Sequence, residues 1–250
     1  MNNRDSVKFG LGIKLGLLLS VFGVVAAGFT GYYSFTESRT LLVKAAEKEL
    51  LTSTQVIGRR FTMLLTESAN NVRLLAALPA SRAVFARADG FASAQDAENV
   101  LGTIFSSMLT LHPEYFQIRL IEAANFGRER VRVDRDEGRL SRVTGQALQE
   151  KAQYPYVYQT LRLPPGAVFL SKIIINHETG AHLGVNKPTL QVATPIVTDT
   201  GEKIGLVVIN IDLNGLFESL QADLPRDMQL YLTNREGDFL IHPDPALAFG

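Results

Sequence analysis

The chain has 250 residues, with Lys+Arg and Asp+Glu both at 25 and no cysteine. Zero formal charge and the lack of any local basic cluster exclude a general pull toward nucleic acid. The missing cysteines exclude a disulfide framework and thiolate metal sites.

Residues 1–14 carry Arg4, Lys8 and Lys14, and from Leu15 to Thr36 there is no charge. About 20 apolar residues suffice to cross the hydrocarbon core as a helix, so 15–36 reads as a transmembrane helix. Basic residues before it and Tyr32 and Tyr33 near its far end predict a cytoplasmic tail and an exported remainder. That predicts a single-pass protein of the inner (cytoplasmic) membrane, with its main part periplasmic or extracellular. A cleaved signal peptide is the rival reading, because "VAA" before Gly28 looks like a small-residue cleavage site. The apolar pattern running on past that point favours the anchor.

From Glu37 to Leu78 there is no proline and only one glycine, Gly58. Val43, Leu50, Ile57 and Leu64 recur at seven-residue steps, joined by Phe61, Val72 and Leu75, which predicts one long amphipathic helix stopped at Pro79. It either packs on its own domain or meets a partner helix in a homodimer, and its two halves can do different things. Residues 80–113 read as helical or irregular. Strand readings follow at 114–121, 128–134, 167–173, 189–197 and 203–212, with turns at "ANFG" and "TDTG". Between them "GQALQEKAQYPYVYQTLRL" reads as a helical stretch interrupted by Pro155. Residues 213–222 form a short helix with Asp212 or Asn214 as candidate caps. Strands joined by hairpins predict an α+β domain around an antiparallel sheet, with the long helix on one side. The last 25 residues, strand–turn–strand and then "HPDP", read as the opening of a second module. A lone hairpin is marginal by itself, so the sequence is expected to be the front of a larger receptor.

Alternation in "EYFQIRLIEAANFGRERVRVD" puts Phe116, Ile118 and Leu120 on one face, with Val131 and Val133 across the hairpin. Tyr115, Gln117 and Arg119 point the other way, with Arg130 and Arg132. That polar face either meets water or lines a pocket.

The order "YFQIRLIEAANFGRERVRV", "LQEKAQYPY", "VFLSKIIINHETG", "KPTLQVATPIV", "GEKIGLVVINID" and "LYLTNREGDFLIHPDP" resembles the double-Cache, tandem PAS-like sensor region of bacterial transmembrane receptors. Such regions occur on histidine kinases, diguanylate cyclases and chemoreceptors. The resemblance covers about residues 37–250. It implies a ligand-binding module at 37–223, the start of a membrane-proximal one at 224–250, and a cytoplasmic output beyond, a histidine kinase first. Lys172 stands where proline is expected after Ser171, and Gln191 where arginine is frequent.

With the resemblance, the polar face looks into a sensing pocket. Arg119, supported by Arg132 or Lys151, is then the contact to an anionic or zwitterionic ligand, since a guanidinium fork binds carboxylate bidentately. Gln117 and Tyr115 add neutral hydrogen bonds, and Tyr154 and Tyr156 form a lid. His177 and His182 lie five apart but lack a third metal ligand. Asp134 and Asp136 read as solvated salt-bridge partners, and His112 and His242 as turn residues. No phosphate loop or nucleophile elbow occurs, so neither catalysis nor a cofactor is expected. A hydrolase would need a nucleophile–base set that is missing, and a protein-binding adaptor would use the arginine face against protein.

Overall fold

The computed structural model describes residues 10–85, 90–175, 188–225 and 228–249. The chain divides at Gly58 into two compact units. Helix α1 runs Leu11–Ala77. In the first unit most of its apolar residues, Val43 and Leu50 among them, are exposed, while Ile57 is half-buried. The helix is long and apolar enough to cross a membrane, by length and composition.

In the second unit the end of α1 buries Val72 and Leu75 and packs Leu64 against the core. The helix stops where Pro79 removes a backbone donor, and the same proline opens α2 (Pro79–Ala83) at a first-turn position that needs none. Helix α3 (Ala94–Leu111) is capped by Ser93, whose hydroxyl accepts the Asp96 amide at 3.1 Å. Among the described residues seven strands follow in one antiparallel sheet: β1 (Tyr115–Glu122), β2 (Glu129–Asp136), β3 (Arg139–Val143), β4 (Phe169–Leu170), β5 (Ile174–Ile175), β6 (Pro188–Val197) and β7 (Lys203–Asp212). Their order is β3-β2-β1-β7-β6-β4, with β5 also on β6. Of the predicted strand 167–173 only Phe169–Leu170 is strand, β5 lies just beyond its end, and β3 was not predicted.

Helix α4 (Pro155–Arg162) begins at Pro155. The proline expected to interrupt a helix instead starts one, for the same reason as Pro79. Helix α5 (Asn214–Ala222) follows β7, and the Asp212 carboxylate accepts the Asn214 amide at 2.9 Å. A separate hairpin follows, β8 (Leu232–Thr233) and β9 (Phe239–Ile241).

Alternation along the strands divides the sheet. Ile118, Leu120, Val131, Val133, Val192, Val207, Ile209 and Ile211 meet α1, α2 and α3 in the main core. Ile121, Ala193, Leu206 and Val208 form a smaller core with Tyr156 and Val157 of α4 on the opposite face. An antiparallel sheet with helices on both faces positions the site: the second face is roofed, not wet.

Candidate functional site

Two β-bulges decide which side chains reach that second face. The register of β1 against β7 shifts between Tyr115 and Gln117. A bulge adds one residue and reverses the alternation beyond it. Tyr115 therefore joins the main core, where its hydroxyl donates to Ser68 Oγ at 3.0 Å and accepts Asn71 Nδ2 at 3.0 Å. Burial raises the Tyr115 pKa despite these hydrogen bonds. The alternation reading that puts Tyr115 on one face with Arg119 is corrected: it faces the long helix.

The second bulge lies where Leu120 pairs with Val131 but Ile121 with Glu129, leaving Arg130 as the extra residue. Arg130 turns to the helical side and binds Glu98 of α3 at 2.8 Å and Glu122 at 3.4 Å. Its predicted grouping with Arg119 and Arg132 is likewise corrected. Glu129, which sequence reasoning passed over, moves onto the second face instead.

There a closed ring of polar side chains forms. Arg119 donates to Asn210 Oδ1 at 3.1 Å, and Asn210 Nδ2 donates to Gln117 Oε1 at 3.1 Å. Gln117 Nε2 donates to Asp134 Oδ1 at 2.9 Å, and Asp134 takes both Nε and Nη2 of Arg132. Glu129 closes the ring, with its carboxylate oxygens 3.5 Å from Arg132 and 3.6 Å from Arg119. The Gln149 amide donates to Glu129 Oε2 at 3.0 Å. Arg119 is 1% exposed and Glu129 0%. Burial opposes the charge on Arg132, but the hydrogen bonds and charge of Asp134, with Glu129 behind, outweigh it and raise its pKa. Asp134 is a member of this buried ring, not a solvated partner. Two arginines matched by two carboxylates leave no net positive charge in it.

Beside the ring lies a pocket of about 580 Å³ lined by α4, β4, β5 and β6. Tyr154, Tyr156, Phe169, Leu170, Ile174 and Ile175 supply its apolar walls, and Gln159, Ser171, Lys172, Thr189 and Gln191 its polar points. Of the predicted site residues, Tyr154 and Tyr156 line this pocket. Arg119, Gln117, Arg132 and Lys151 do not. Two of these cations instead hold the lining tyrosines: the Arg119 guanidinium lies 4.9 Å from the Tyr156 ring centre, and Lys151 Nζ 4.9 Å from that of Tyr154. The two rings stack at 5.8 Å. Phe169 and Leu170 were legible only as strand residues, and Ile174 lay just past the predicted strand.

Among the described residues no cluster of three metal-ligating side chains occurs, and His177 and His182 lie outside the described residues. His112 caps α3 and stacks on Tyr115 at 4.5 Å.

Residues 72–250 match the family model for the bacterial histidine kinase sensor domain. The chain belongs to that family. The sensor domain is similar in fold to a domain of a Vibrio parahaemolyticus protein classed as sensory box/GGDEF, with TM-score 0.67 and 20% identity over 81% of this chain and 73% of that one. It is also similar to the sensor domain of the V. cholerae histidine kinase DctB, with TM-score 0.57 and 16% identity over 82% and 70% of the chains. The ligand-binding domain of the Campylobacter jejuni chemoreceptor Tlp3, in complex with 4-methylisoleucine, aligns with TM-score 0.53 and 15% identity over 78% and 70%. No curated protein matches the sequence. The sensor domain thus falls among ligand-binding rather than catalytic folds.

Proposed function

We propose that this chain is the extracytoplasmic sensing region of a transmembrane receptor that binds a small molecule in the α4/β4–β6 pocket. The observation that carries the reading is the pocket itself, which is mostly apolar, has a few polar points, and is of the size that takes small ligands. Tyr154 and Tyr156 contact the ligand. Arg119, Gln117, Arg132 and Lys151 hold the floor and walls in place rather than touching it. Binding biases the segments over the sheet, and only a difference in affinity between two arrangements shifts the receptor's output. The output is a histidine kinase on this reading, with a diguanylate cyclase or chemoreceptor as alternatives. A protein-binding adaptor is disfavoured because the arginine face is roofed.

The pocket is tested by the thermal stability of the chain in detergent against a panel of small carboxylates and amino acids. Any stabilising compound should lose its effect in Ile174→Trp, which puts a ring into the pocket from a half-exposed position. Stabilisation that survives this change places the ligand elsewhere.

Residues 15–36 cross the inner membrane, the sensing module extends over 37–223, and a second module starts at 224. The near-membrane half of α1 pairs with a second copy, supported by the exposed Val43 and Leu50 at heptad spacing. Since the chain has no cysteine, a single Leu50→Cys change tests both statements in intact cells. It should react with a membrane-impermeant maleimide and cross-link to its own copy under oxidation. Labelling only after lysis overturns the topology, and absence of cross-links along residues 40–57 overturns the pairing.

A further inference from the structure

Lys172 is the only charged side chain among the described residues that line the pocket. Its Nζ sits 2.6 Å from a carboxylate oxygen of Glu236, at the tip of the β8–β9 hairpin. The backbone around Lys172 is pinned. Ser171 accepts the Gln191 amide at 2.9 Å on its hydroxyl and donates its own amide to the Gln191 carbonyl at 2.9 Å. The hairpin tip is equally well defined. The Asn234 side chain donates to the Asp238 carboxylate at 2.7 Å and accepts the Asp238 amide at 2.9 Å, and Gly237 takes φ +98°. Segment 172–175 also walls a second cavity, of about 410 Å³, whose other side is Asn234, Asp238, Phe239 and Leu240 of the hairpin. One short segment therefore separates the pocket from the hairpin, and its cation serves both sides.

We propose, building on the pocket reading above, that the ligand is a carboxylate carried on an apolar, aromatic-sized body, and that its carboxylate competes with Glu236 for Lys172. The tyrosine and phenylalanine walls take the body, and Lys172 takes the charge. Occupancy then frees the hairpin tip, so the β8–β9 module responds to the pocket through one ion pair. Lys172 holds Glu236's carboxyl below its usual range, in keeping with a contact already made in the absence of ligand. The coupling is reciprocal, since whatever factor the ligand uses to open the pair is returned as affinity when the pair is removed. Because both partners are exposed, the effect is modest and fades at high salt.

The test titrates phenylacetate and its uncharged counterpart phenylacetamide into the full chain in detergent, with hydrogen exchange of 232–241 as a second readout. Phenylacetate should bind more tightly than the amide, and K172M should remove that difference. E236Q should raise phenylacetate affinity about three- to tenfold and leave the amide unchanged. Phenylacetate should also speed exchange in the wild-type hairpin, while in E236Q exchange is already fast. Equal binding of both probes, abolished by Ile174→Trp, overturns the role of Lys172 and leaves the pocket reading standing. Absence of phenylacetate binding, or an affinity indifferent to E236Q, overturns the proposal. The pocket reading is then judged separately by the compounds that Ile174→Trp silences.

Discussion

Arg119→Ala is expected to cost about 3–5 kcal/mol of folding stability, because it leaves Glu129 charged and buried without its partner. Arg119 and Glu129 are both almost fully inaccessible, and the ring offers Glu129 only Arg132 and the Gln149 amide in compensation. Against a typical total of roughly 5–15 kcal/mol, that loss is large enough to unfold much of the protein at moderate urea. Direct ligand contact by Arg119 predicts something different, a loss of about 1.5–3 kcal/mol in binding with stability within about 0.5 kcal/mol. Urea denaturation of the chain separates the two. Adding Glu129→Gln to Arg119→Met should recover part of the loss, since the stranded charge is gone and the methionine fills similar space. A double variant no more stable than Arg119→Ala would mean that the ring matters for packing rather than for charge. Ligand affinity should fall in the single variant as a consequence, because Tyr156 loses the cation against its ring.

Much of the fold was legible because it rests on periodicity. Helix α1 and strands β1, β2, β6 and β7 all carry the spacing that their buried faces require. Strand β3 was not legible: "RLSRV" is mostly exposed and held by pairing to β2, so its side chains carry no burial pattern. Pro155 was read as an interruption because a proline in a helical stretch stops or starts a helix with equal ease, and only the chain before it decides which. The site was legible as to face but not as to contact. Gln117, Arg119 and Arg132 do share a face, as alternation requires. The two bulges then removed Tyr115 and Arg130 from it and inserted Glu129. A bulge leaves the composition of a strand unchanged, so a period-two reading carries past it with the wrong parity. With Glu129 in place, an arginine face that looked ready for an anionic ligand is neutralised from within.

The turn that follows β1 should be the other sensitive point, and Gly127→Ala is expected to cost roughly 2 kcal/mol or more. Asn125, Phe126 and Gly127 all take left-handed conformations, with φ of 49°, 56° and 68°. That succession folds the turn back on the segment leading to α4. The Lys151 amide donates to the Gly127 carbonyl and the Ala152 amide to the Phe126 carbonyl, both at 3.0 Å. A Cβ on residue 127 would lie 2.6 Å from the Ala152 nitrogen and 3.1 Å from its Cα, both backbone atoms that cannot rotate away. Relief requires the two segments to part. That would strain both hydrogen bonds and shift Lys151 and Tyr154, together with the Gln149 amide that Glu129 accepts. Gly138→Ala isolates the contact from the backbone effect. Gly138 also has positive φ, +80°, but a Cβ there meets nothing within 4 Å. It should cost only about 1 kcal/mol, the ordinary penalty for a non-glycine residue in that region. Thermal unfolding of the two variants checks the difference. If they lose equal stability, the approach of residues 127 and 152 does not hold the pocket wall.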